Sequence, residues 1–351
     1  MPLSNGPNVM NRFILEAHKI SRSFSPHEDL LGKVVRSILI QPNPPSVKAL
    51  TDVTITLKTG EVLGVVGESG CGKSTLGRIL AGILEPSGGQ LMFRGKNLSD
   101  MDPHARAETL LKIQMIFQDP LSSLNPRKRV LDLIGEAPVV HGLIKAHERD
   151  SFVSEALTRV GLDKDVKSRF PHQFSGGQRQ RINIARALAV NPEILICDES
   201  VAALDVSIQA QILNVFMKLK AEGSLSFIFI SHDLGVIEHL CDRVAILYLG
   251  RIVEIGPVDQ IFRDAKHPYT QALLQEIPRI GVGKRRFNPI RGEIPSPLSP
   301  PSGCQFHPRC PHAKIECSSR MPGLQQVSHE HHAACHLLYG NSTHLTTELS
   351  K

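Results

Sequence analysis

The stretch Val62–Ser74 reads VLGVVGESGCGKS and combines a short apolar run with a glycine-rich loop. The run 62–66 is almost wholly apolar, which is typical of a strand buried on both faces of a parallel sheet. The loop after it fits the pattern G-x-x-x-x-G-K-[ST], in which a curled backbone presents successive N–H groups to phosphate. A helix is predicted from Gly72 onward, and its N-terminal end adds positive charge at the same point. The sequence therefore predicts a triphosphate site at 67–75.

Two residues of this loop have side-chain roles. Lys73 is predicted to reach the β- and γ-phosphates, and the Ser74 hydroxyl is predicted to bind Mg²⁺. The remaining nucleotide contacts are predicted at Gly67, Glu68, Ser69, Gly70, Cys71, Gly72 and Thr75. The Cys71 thiol has no chemistry of its own in this prediction. A glycine-rich loop can match the pattern by chance, but the flanking strand and helix are the context that a phosphate loop requires.

The rest of the chain alternates between predicted strands and predicted helices. Strands are predicted at 12–24, 51–57, 62–66, 113–117, 194–197, 225–230 and 243–255, and helices at 151–160 and 208–221. This alternation predicts an α/β fold with a largely parallel sheet. The segment 118–185 is predicted to be a helical insert. From Ile290 a proline-rich linker leads into a tail rich in Cys and His.

Polar side chains follow three of these strands. Asp198 and Glu199 end one apolar strand, so Asp198 is predicted to bind Mg²⁺ and Glu199 to act as general base on the attacking water. His232 follows another strand and is predicted to hydrogen-bond the γ-phosphate. Gln118 ends a third and is predicted to contact Mg²⁺ and the water. Each alone could be an ordinary strand end, and the phosphate loop upstream favours the catalytic interpretation.

A second anion-binding turn lies about 100 residues beyond the first. Ser175, Gly176, Gly177 and Gln178 precede a segment rich in Ile and Ala, and Ser-Gly-Gly at a helix start is such a turn. With these motifs in this order, the sequence resembles the ATP-binding-cassette (ABC) ATPases. The resemblance covers the Walker A loop 67–74, the Q-loop residue Gln118, the signature 174–178, the Walker B strand 194–199, the D-loop 203–205 and the switch residue His232.

The resemblance implies a P-loop NTPase cassette with a parallel core, an antiparallel β subdomain and a helical subdomain. It also implies a head-to-tail dimer in which Walker A of one chain and the signature of the other share each ATP. Phe24 would stack on adenine, with a core residue as the less favoured alternative, and Asp205 would lie at the interface. Ser200 and Ala202 depart from the family's usual Pro and Ser, yet neither change removes a charged group, so hydrolysis is expected to be retained.

Four of the seven cysteines lie close together in the tail: Cys304, Cys310, Cys317 and Cys335. Structural zinc usually has C-x2–4-C pairs, which are absent here, whereas four thiolates suit a [4Fe–4S] cluster. Nearby histidines keep zinc open, and thiols without metal are a third alternative. The tail resembles the C-terminal extension of the dipeptide, oligopeptide and nickel importer ATPases, which implies that these cysteines are iron–sulfur ligands. Cys197 and Cys241 lie in apolar context and are predicted to be packing residues.

The composition is compatible with a peripheral subunit. Among 351 residues there are 40 Lys and Arg against 34 Asp and Glu, a mild excess that gives no indication of nucleic-acid binding. No apolar run approaches the about 20 residues that cross a bilayer, and the N-terminus lacks the apolar core of a signal peptide. The chain is therefore expected at the cytoplasmic face of the cell membrane, with separate chains spanning it.

The complete prediction is a cassette at 12–275 and an oligopeptide-transporter-type extension at 276–351. Its cofactors would be ATP, Mg²⁺ and the iron–sulfur cluster. It would power a peptide importer, as the second of two ATPase subunits, with two membrane permeases and an extracytoplasmic binding protein. Nickel chelates or glutathione are alternative cargoes. A soluble ABC ATPase acting on ribosomes or DNA is the rival, but this chain has one cassette and lacks the inserts of such proteins.

Overall fold

The computed structural model describes residues 13–25, 46–120, 122–200, 205–277, 290 and 292–341. The strands in these ranges are β1 Phe13–Phe24, β2 Val47–Lys58, β3 Val62–Val66, β4 Gly88–Phe93, β5 Lys96–Asn97, β6 Ile113–Ile116, β7 Ile194–Asp198, β8 Ser226–Ser231, β9 Arg243–Tyr248, β10 Arg251–Pro257, β11 Gln325–Ser328 and β12 His331–Ala333. The α-helices are α1 Lys73–Leu80, α2 Pro103–Leu111, α3 Val130–Val140, α4 Arg149–Arg159, α5 Gly176–Leu188, α6 Val206–Ala221, α7 Leu234–Leu240, α8 Val258–Asp264, α9 Pro268–Gln275 and α10 Ile315–Ser319. Short 3-10 turns lie at Leu98–Asp100, Ala146–Glu148, Lys164–Ser168, Pro171–Gln173, His307–Arg309 and His336–Asn341.

These strands form two sheets. The larger sheet has the order β11-β12-β10-β9-β3-β8-β7-β6, and its five strands from β9 to β6 run parallel. The smaller sheet, β2-β1-β4-β5, is antiparallel throughout. The prediction of an α/β fold with a largely parallel sheet is confirmed. Both faces of this parallel sheet are covered, and in such α/β sheets ligands bind at the carboxyl ends of the strands.

Two apolar cores cover opposite faces of the larger sheet. Side chains alternate between faces along a strand, so neighbouring residues of β8 point into different cores. Phe227 and Phe229 pack with the helical segment, whereas Ile228 and Ile230 pack with α1 and the antiparallel sheet. Every residue of β3, β7 and β8 is buried. These central strands are therefore fixed from both sides, and the loops at their carboxyl ends start from rigid supports.

The segment between β6 and β7 is helical, as predicted. It contains α3, α4 and α5 with two 3-10 turns between α4 and α5. Within the described ranges, no helix is both long and apolar enough to cross a membrane.

The C-terminal residues complete the larger sheet, which the sequence did not predict. β11 and β12 form a hairpin, and β12 pairs with the cassette strand β10 through Glu254–Ala333 and Ile255–His332. β4 and β5 of the antiparallel sheet were also missed. The predicted loop at roughly 25–47 falls mostly on residues outside the described ranges.

Candidate functional site

The phosphate loop links β3 to α1, as predicted. Gly72 caps α1 with a φ of 107°, and a Cβ there would lie 2.4 Å from the carbonyl oxygen of Ala49, so glycine is required. The Lys73 ammonium is buried and donates to the carbonyl oxygens of Gly67 at 2.8 Å and Glu68 at 3.0 Å. This ammonium lies 4.0 Å from the Glu199 carboxylate and hydrogen-bonds carbonyl oxygens of the loop. Its buried positive charge therefore suits an anion bound beside the loop.

A cavity of about 240 Å³ opens beside this loop. Its walls include six of the nine predicted contacts of the phosphate loop 67–75, together with residues of β2, the β9–β10 turn and Pro297 of the segment 292–341, called the C-terminal segment below. The lining residues are Val47, Lys48, Ala49, Ser69, Gly70, Gly72, Lys73, Ser74, Thr75, Gln118, Glu199, Leu249, Gly250 and Pro297. The structure thus brings Gln118 and Glu199 to the phosphate loop across more than 40 residues of sequence. Cys71 is buried behind the loop.

Asp198 and Ser74 form a pair of oxygen ligands next to this cavity. The Ser74 hydroxyl donates to Oδ1 of Asp198 at 3.0 Å. Burial raises the pKa of Asp198, the Ser74 hydrogen bond opposes this shift, and the neighbouring Glu199 adds to it. Hard divalent cations prefer oxygen ligands of this kind, so the pair fits Mg²⁺. A bound cation would favour the ionised form of Asp198.

Glu199 is the point on which the polar side chains converge. The Gln118 amide donates to its Oε2 at 2.7 Å, while His232 Nδ1 lies 3.5 Å and Lys73 Nζ 4.0 Å from its Oε1. Glu199 has a φ of 46°, which is unusual for a residue other than glycine. Its N–H donates to the carbonyl oxygen of Ile230 in β8, and this bond holds the strained backbone.

The signature residues lie apart from this cavity in the single chain. Ser175 caps α5: its hydroxyl accepts from the Gln178 N–H at 3.4 Å, and the Gln178 side chain accepts from the Ser175 N–H at 3.1 Å. Ser175, Gly176 and Gln178 are exposed, whereas Gly177 packs on Ile208. The α5 N-terminus therefore presents its free N–H groups to solvent.

Phe24 and Asp205, two further predicted contacts, are both exposed. Phe24 is 40% exposed, so it is not a core residue, and it pairs with the cavity residue Val47 across β1 and β2. The Arg22 guanidinium lies 4.9 Å from its ring centre. Asp205 is exposed at the start of α6. The neighbouring D-loop residues, including Ala202, fall outside the described ranges.

The four tail cysteines are near one another, but the expected metal centre is not confirmed. Burial raises the pKa of Cys304 to about 11, and the nearby Cys317, Cys335 and Cys310 thiols add to this shift. The Cys304 N–H donates to the Cys317 carbonyl oxygen at 2.8 Å. Among the described residues, however, no three His, Cys, Asp or Glu side chains are grouped as a metal site. Cys197 and Cys241 are buried in the core, as predicted.

Sequence reasoning missed two supports of the phosphate loop. The Tyr269 hydroxyl, at the start of α9, accepts from the Glu68 N–H at 2.9 Å, so this N–H bonds the protein rather than facing the cavity. Arg309 of the C-terminal segment donates two hydrogen bonds, of 2.7 and 2.9 Å, to the Glu68 carboxylate. No local motif marks either residue, because both reach the loop only through the tertiary fold.

A phosphate loop at the carboxyl end of β3 in a parallel sheet, with the convergence on Glu199 and an exposed signature turn, defines a P-loop ATPase of the cassette class. The profile of the ABC transporter family matches residues 50–202, and that of the oligopeptide/dipeptide transporter C-terminal region matches 253–317. Among solved structures, the chain is similar to the cassette MJ0796 in a post-hydrolysis dimer with ADP and Pi. That likeness has a TM-score of 0.59 and 26% identity, over 70% of this chain and 98% of that one.

Similar proteins of stated function show which branch of the family the chain belongs to. The chain is 47% identical to the oligopeptide transport ATP-binding protein AppF of Bacillus subtilis, over 86% of this chain and 93% of AppF. It is 49% identical to the dipeptide transport ATP-binding protein DppF of Escherichia coli, over 80% and 84%. It is 42% identical to OppF of Haemophilus influenzae, over 95% and 99%. The chain belongs to the ABC transporter family, among the ATP-hydrolysing subunits of its oligopeptide and dipeptide branch.

Proposed function

We propose that the chain hydrolyses MgATP to power peptide import through two membrane permeases. The observation that carries this proposal is the convergence of Gln118, His232 and Lys73 within 4.0 Å of the Glu199 carboxylate, beside a loop built for phosphate. The names of the AppF, DppF and OppF relatives support peptides as the cargo.

In this proposal Glu199 accepts a proton from the attacking water, and Gln118 and His232 orient its carboxylate. His232 also hydrogen-bonds the γ-phosphate. Lys73 exchanges its loop carbonyls for the β- and γ-phosphates. Backbone N–H groups of the loop 67–75, other than that of Glu68, which bonds Tyr269, hold the remaining oxygens. Ser74 and Asp198 would hold Mg²⁺, and Gln118 would contact it. The cation supplies neutralisation of phosphate charge when bound.

The nucleotide is proposed to be shared between two chains. The exposed N-terminus of α5 carries free N–H groups and suits the γ-phosphate of a partner's ATP. Ser175, Gly176, Gly177 and Gln178 then complete that partner's site, with Asp205 at the interface and Phe24 against adenine. The partner proposed is a second, related ATPase subunit, which makes the assembly a heterodimer.

The proposed permease contact is a cavity of about 760 Å³ between the parallel core and the helical segment. It lies next to the Gln118 loop and is lined by Phe117, Leu133 and Val140. Val140 is 72% exposed, so this side of the cavity presents an apolar side chain that a partner could cover. A helix of a permease fits such a groove, because an amphipathic helix buries its apolar face there. This contact supports a peripheral location on the cytoplasmic face of the membrane, with an extracytoplasmic binding protein delivering the cargo.

The domain division proposed is a cassette at 12–275, with its helical subdomain at about 118–185, and an extension at 276–351. Within the extension, Cys304, Cys310, Cys317 and Cys335 are proposed to hold a [4Fe–4S] cluster. The other three thiols lie close enough to Cys304 to raise its pKa, and four thiolates are the ligand set of a [4Fe–4S] cluster. Anaerobic purification should yield about four irons per chain, whereas stoichiometric zinc would overturn this assignment.

Affinity purification of the tagged chain from detergent-solubilised membranes tests the transport proposal. Two multi-span permeases and a second ATPase chain should copurify, and peptides with the binding protein should stimulate ATP hydrolysis. Stimulation by nickel chelates or glutathione alone would reassign the cargo. Recovery with ribosomes or DNA, and no permease, would contradict the transport role. The Lys73→Ala variant is the control, since it should assemble but bind little ATP.

A further inference from the structure

The C-terminal segment reaches the phosphate loop through one buried side chain. Arg309 is 8% exposed and holds both carboxylate oxygens of Glu68, at 2.7 and 2.9 Å. A third donor contact runs from its Nη1 to the Tyr248 hydroxyl at 3.4 Å. Two parallel N–H···O bonds fix orientation as well as charge, so Glu68 is held in one position. This pair joins residues that are 241 positions apart in the chain.

A cluster of aromatic rings packs the C-terminal segment against the residues that support the phosphate loop. Phe306 is buried, and its ring centre lies 5.4 Å from those of both Tyr248 and Tyr269. Tyr269 in turn accepts the Glu68 N–H. The C-terminal segment therefore supports the Glu68 carboxylate directly, through Arg309, and its backbone indirectly, through Phe306 packed on Tyr269. Aromatic packing of this kind makes the support rigid, because buried rings interdigitate in a single arrangement.

The charge of Glu68 gives this contact a consequence for ATP. Glu68 lies within the loop that receives the triphosphate, and a free carboxylate there would repel phosphate. Arg309 neutralises that carboxylate and turns it toward the C-terminal segment. We propose that Arg309 is a positioning residue of the nucleotide site, through which the C-terminal segment sets the affinity for ATP. This inference rests on the proposed ATP-binding role of the loop.

The test measures binding of a fluorescent ATP analogue with Mg²⁺ to the full chain. Arg309→Met leaves Glu68 charged and unpaired, and it should weaken binding about tenfold, in line with the loss of charged hydrogen bonds. In steady state it should raise KM for ATP while kcat stays near wild type, because Glu199 is untouched. Arg320→Met is the matched control, since Arg320 lies in the same segment and pairs with Glu316 at 3.5 Å.

The double variant Glu68→Gln/Arg309→Met separates positioning from mere folding. Removing the carboxylate should return the affinity to near wild type, because the repulsive charge is gone. A purely structural role for Arg309 predicts no such rescue. Glu68→Gln alone keeps an acceptor for Arg309 and should bind ATP at least as tightly as wild type. If Arg309→Met lowers the melting temperature and cannot be assayed, the affinity of Glu68→Gln tests the positioning role.

Distinct results overturn the two proposals. Wild-type affinity in Arg309→Met, an equally weak double variant, or weakened binding in Glu68→Gln would each contradict the positioning role. If the wild-type chain binds no MgATP at all, the proposed function fails and this inference fails with it.

Discussion

Glu199 combines a backbone conformation that costs energy with a carboxylate held by neighbouring polar groups. Its φ of 46° costs on the order of 1 kcal/mol or more, which the hydrogen bond to Ile230 and the buried strands on either side offset. The conformation points the carboxylate toward the phosphate loop, where Gln118 and His232 meet it. At the scale of a single residue, the site is therefore preorganised before any nucleotide arrives.

Replacing Glu199 by Gln should slow ATP hydrolysis by about 10²–10⁴-fold, because an amide cannot accept the proton from water. Binding of MgATP should persist, since the phosphate loop and Lys73 are unchanged. Steady-state hydrolysis and nucleotide binding measured on one preparation check this outcome. Hydrolysis at the wild-type rate in the variant would remove Glu199 from its role.

Replacing Asp198 by Asn should stabilise the nucleotide-free fold at neutral pH while abolishing Mg²⁺-dependent activity. Burial raises the pKa of Asp198, so ionisation at neutral pH opposes folding. That penalty is present above the raised pKa and vanishes once pH falls below the ordinary carboxyl range. Melting temperatures of both proteins across pH should therefore differ at pH 7 and converge in acid. A variant that melts lower than wild type at pH 7 would contradict this account.

At the scale of elements, β10 joins the cassette to the C-terminal hairpin through a buried acid. Glu254 is fully buried, and its carboxylate accepts from the Lys266 and His267 N–H groups at 2.7 and 3.0 Å. His331 of β12 lies 2.8 Å from the same carboxylate. Burial lowers the pKa of His267 to about 4, so this ring stays neutral at physiological pH. One side chain thus ties β10, the start of α9 and β12 together.

Replacing Glu254 by Leu should lower the free energy of unfolding by about 3 kcal/mol, because three donors, two N–H groups before α9 and the His331 ring of β12, lose their acceptor. Urea denaturation of the full chain measures this change. Glu108→Leu, on the exposed surface of α2, is the control and should change it little, because its partner His104 is also exposed. Equal midpoints for Glu254→Leu and wild type would show that the joint contributes nothing.

The sequence predicts an element well when the residues of that element themselves carry the pattern, and poorly when the element forms only through contacts with distant parts of the chain. The apolar runs of β3, β7 and β8 and the loop before α1 carry their own signals, so their positions and the site at their ends were predictable. β12 is only three residues long and forms because β10 offers it an open edge. The contacts of Tyr269 and Arg309 with Glu68 are likewise tertiary, and no spacing rule reveals them.

At the scale of the whole molecule, the described surface has separate faces for separate partners. The exposed α5 N-terminus and the phosphate loop suit a second cassette, while the cavity beside Val140 suits a membrane permease. Gln118 lies at the loop between the latter cavity and Glu199. The loop that carries Phe117 and Gln118 therefore borders both faces.

Replacing Val140 by Asp should prevent copurification with the permeases, because a charge in this groove would be buried unpaired on docking. The variant should retain MgATP binding and its melting temperature, since the side chain is 72% exposed in the single chain. Ile315→Asp is the matched control, at 92% exposure in the C-terminal segment. Normal recovery of the permeases with Val140→Asp would move the docking surface elsewhere.

The most direct measurement is ATP-dependent accumulation of a labelled peptide in proteoliposomes that contain the purified transporter and its binding protein. Complexes with the wild-type chain should accumulate peptide only when MgATP is present on the side of the ATPase subunits. Complexes with Glu199→Gln should bind ATP and accumulate almost none. Peptide accumulation at the wild-type rate with Glu199→Gln would contradict the claim that hydrolysis by this chain drives the import.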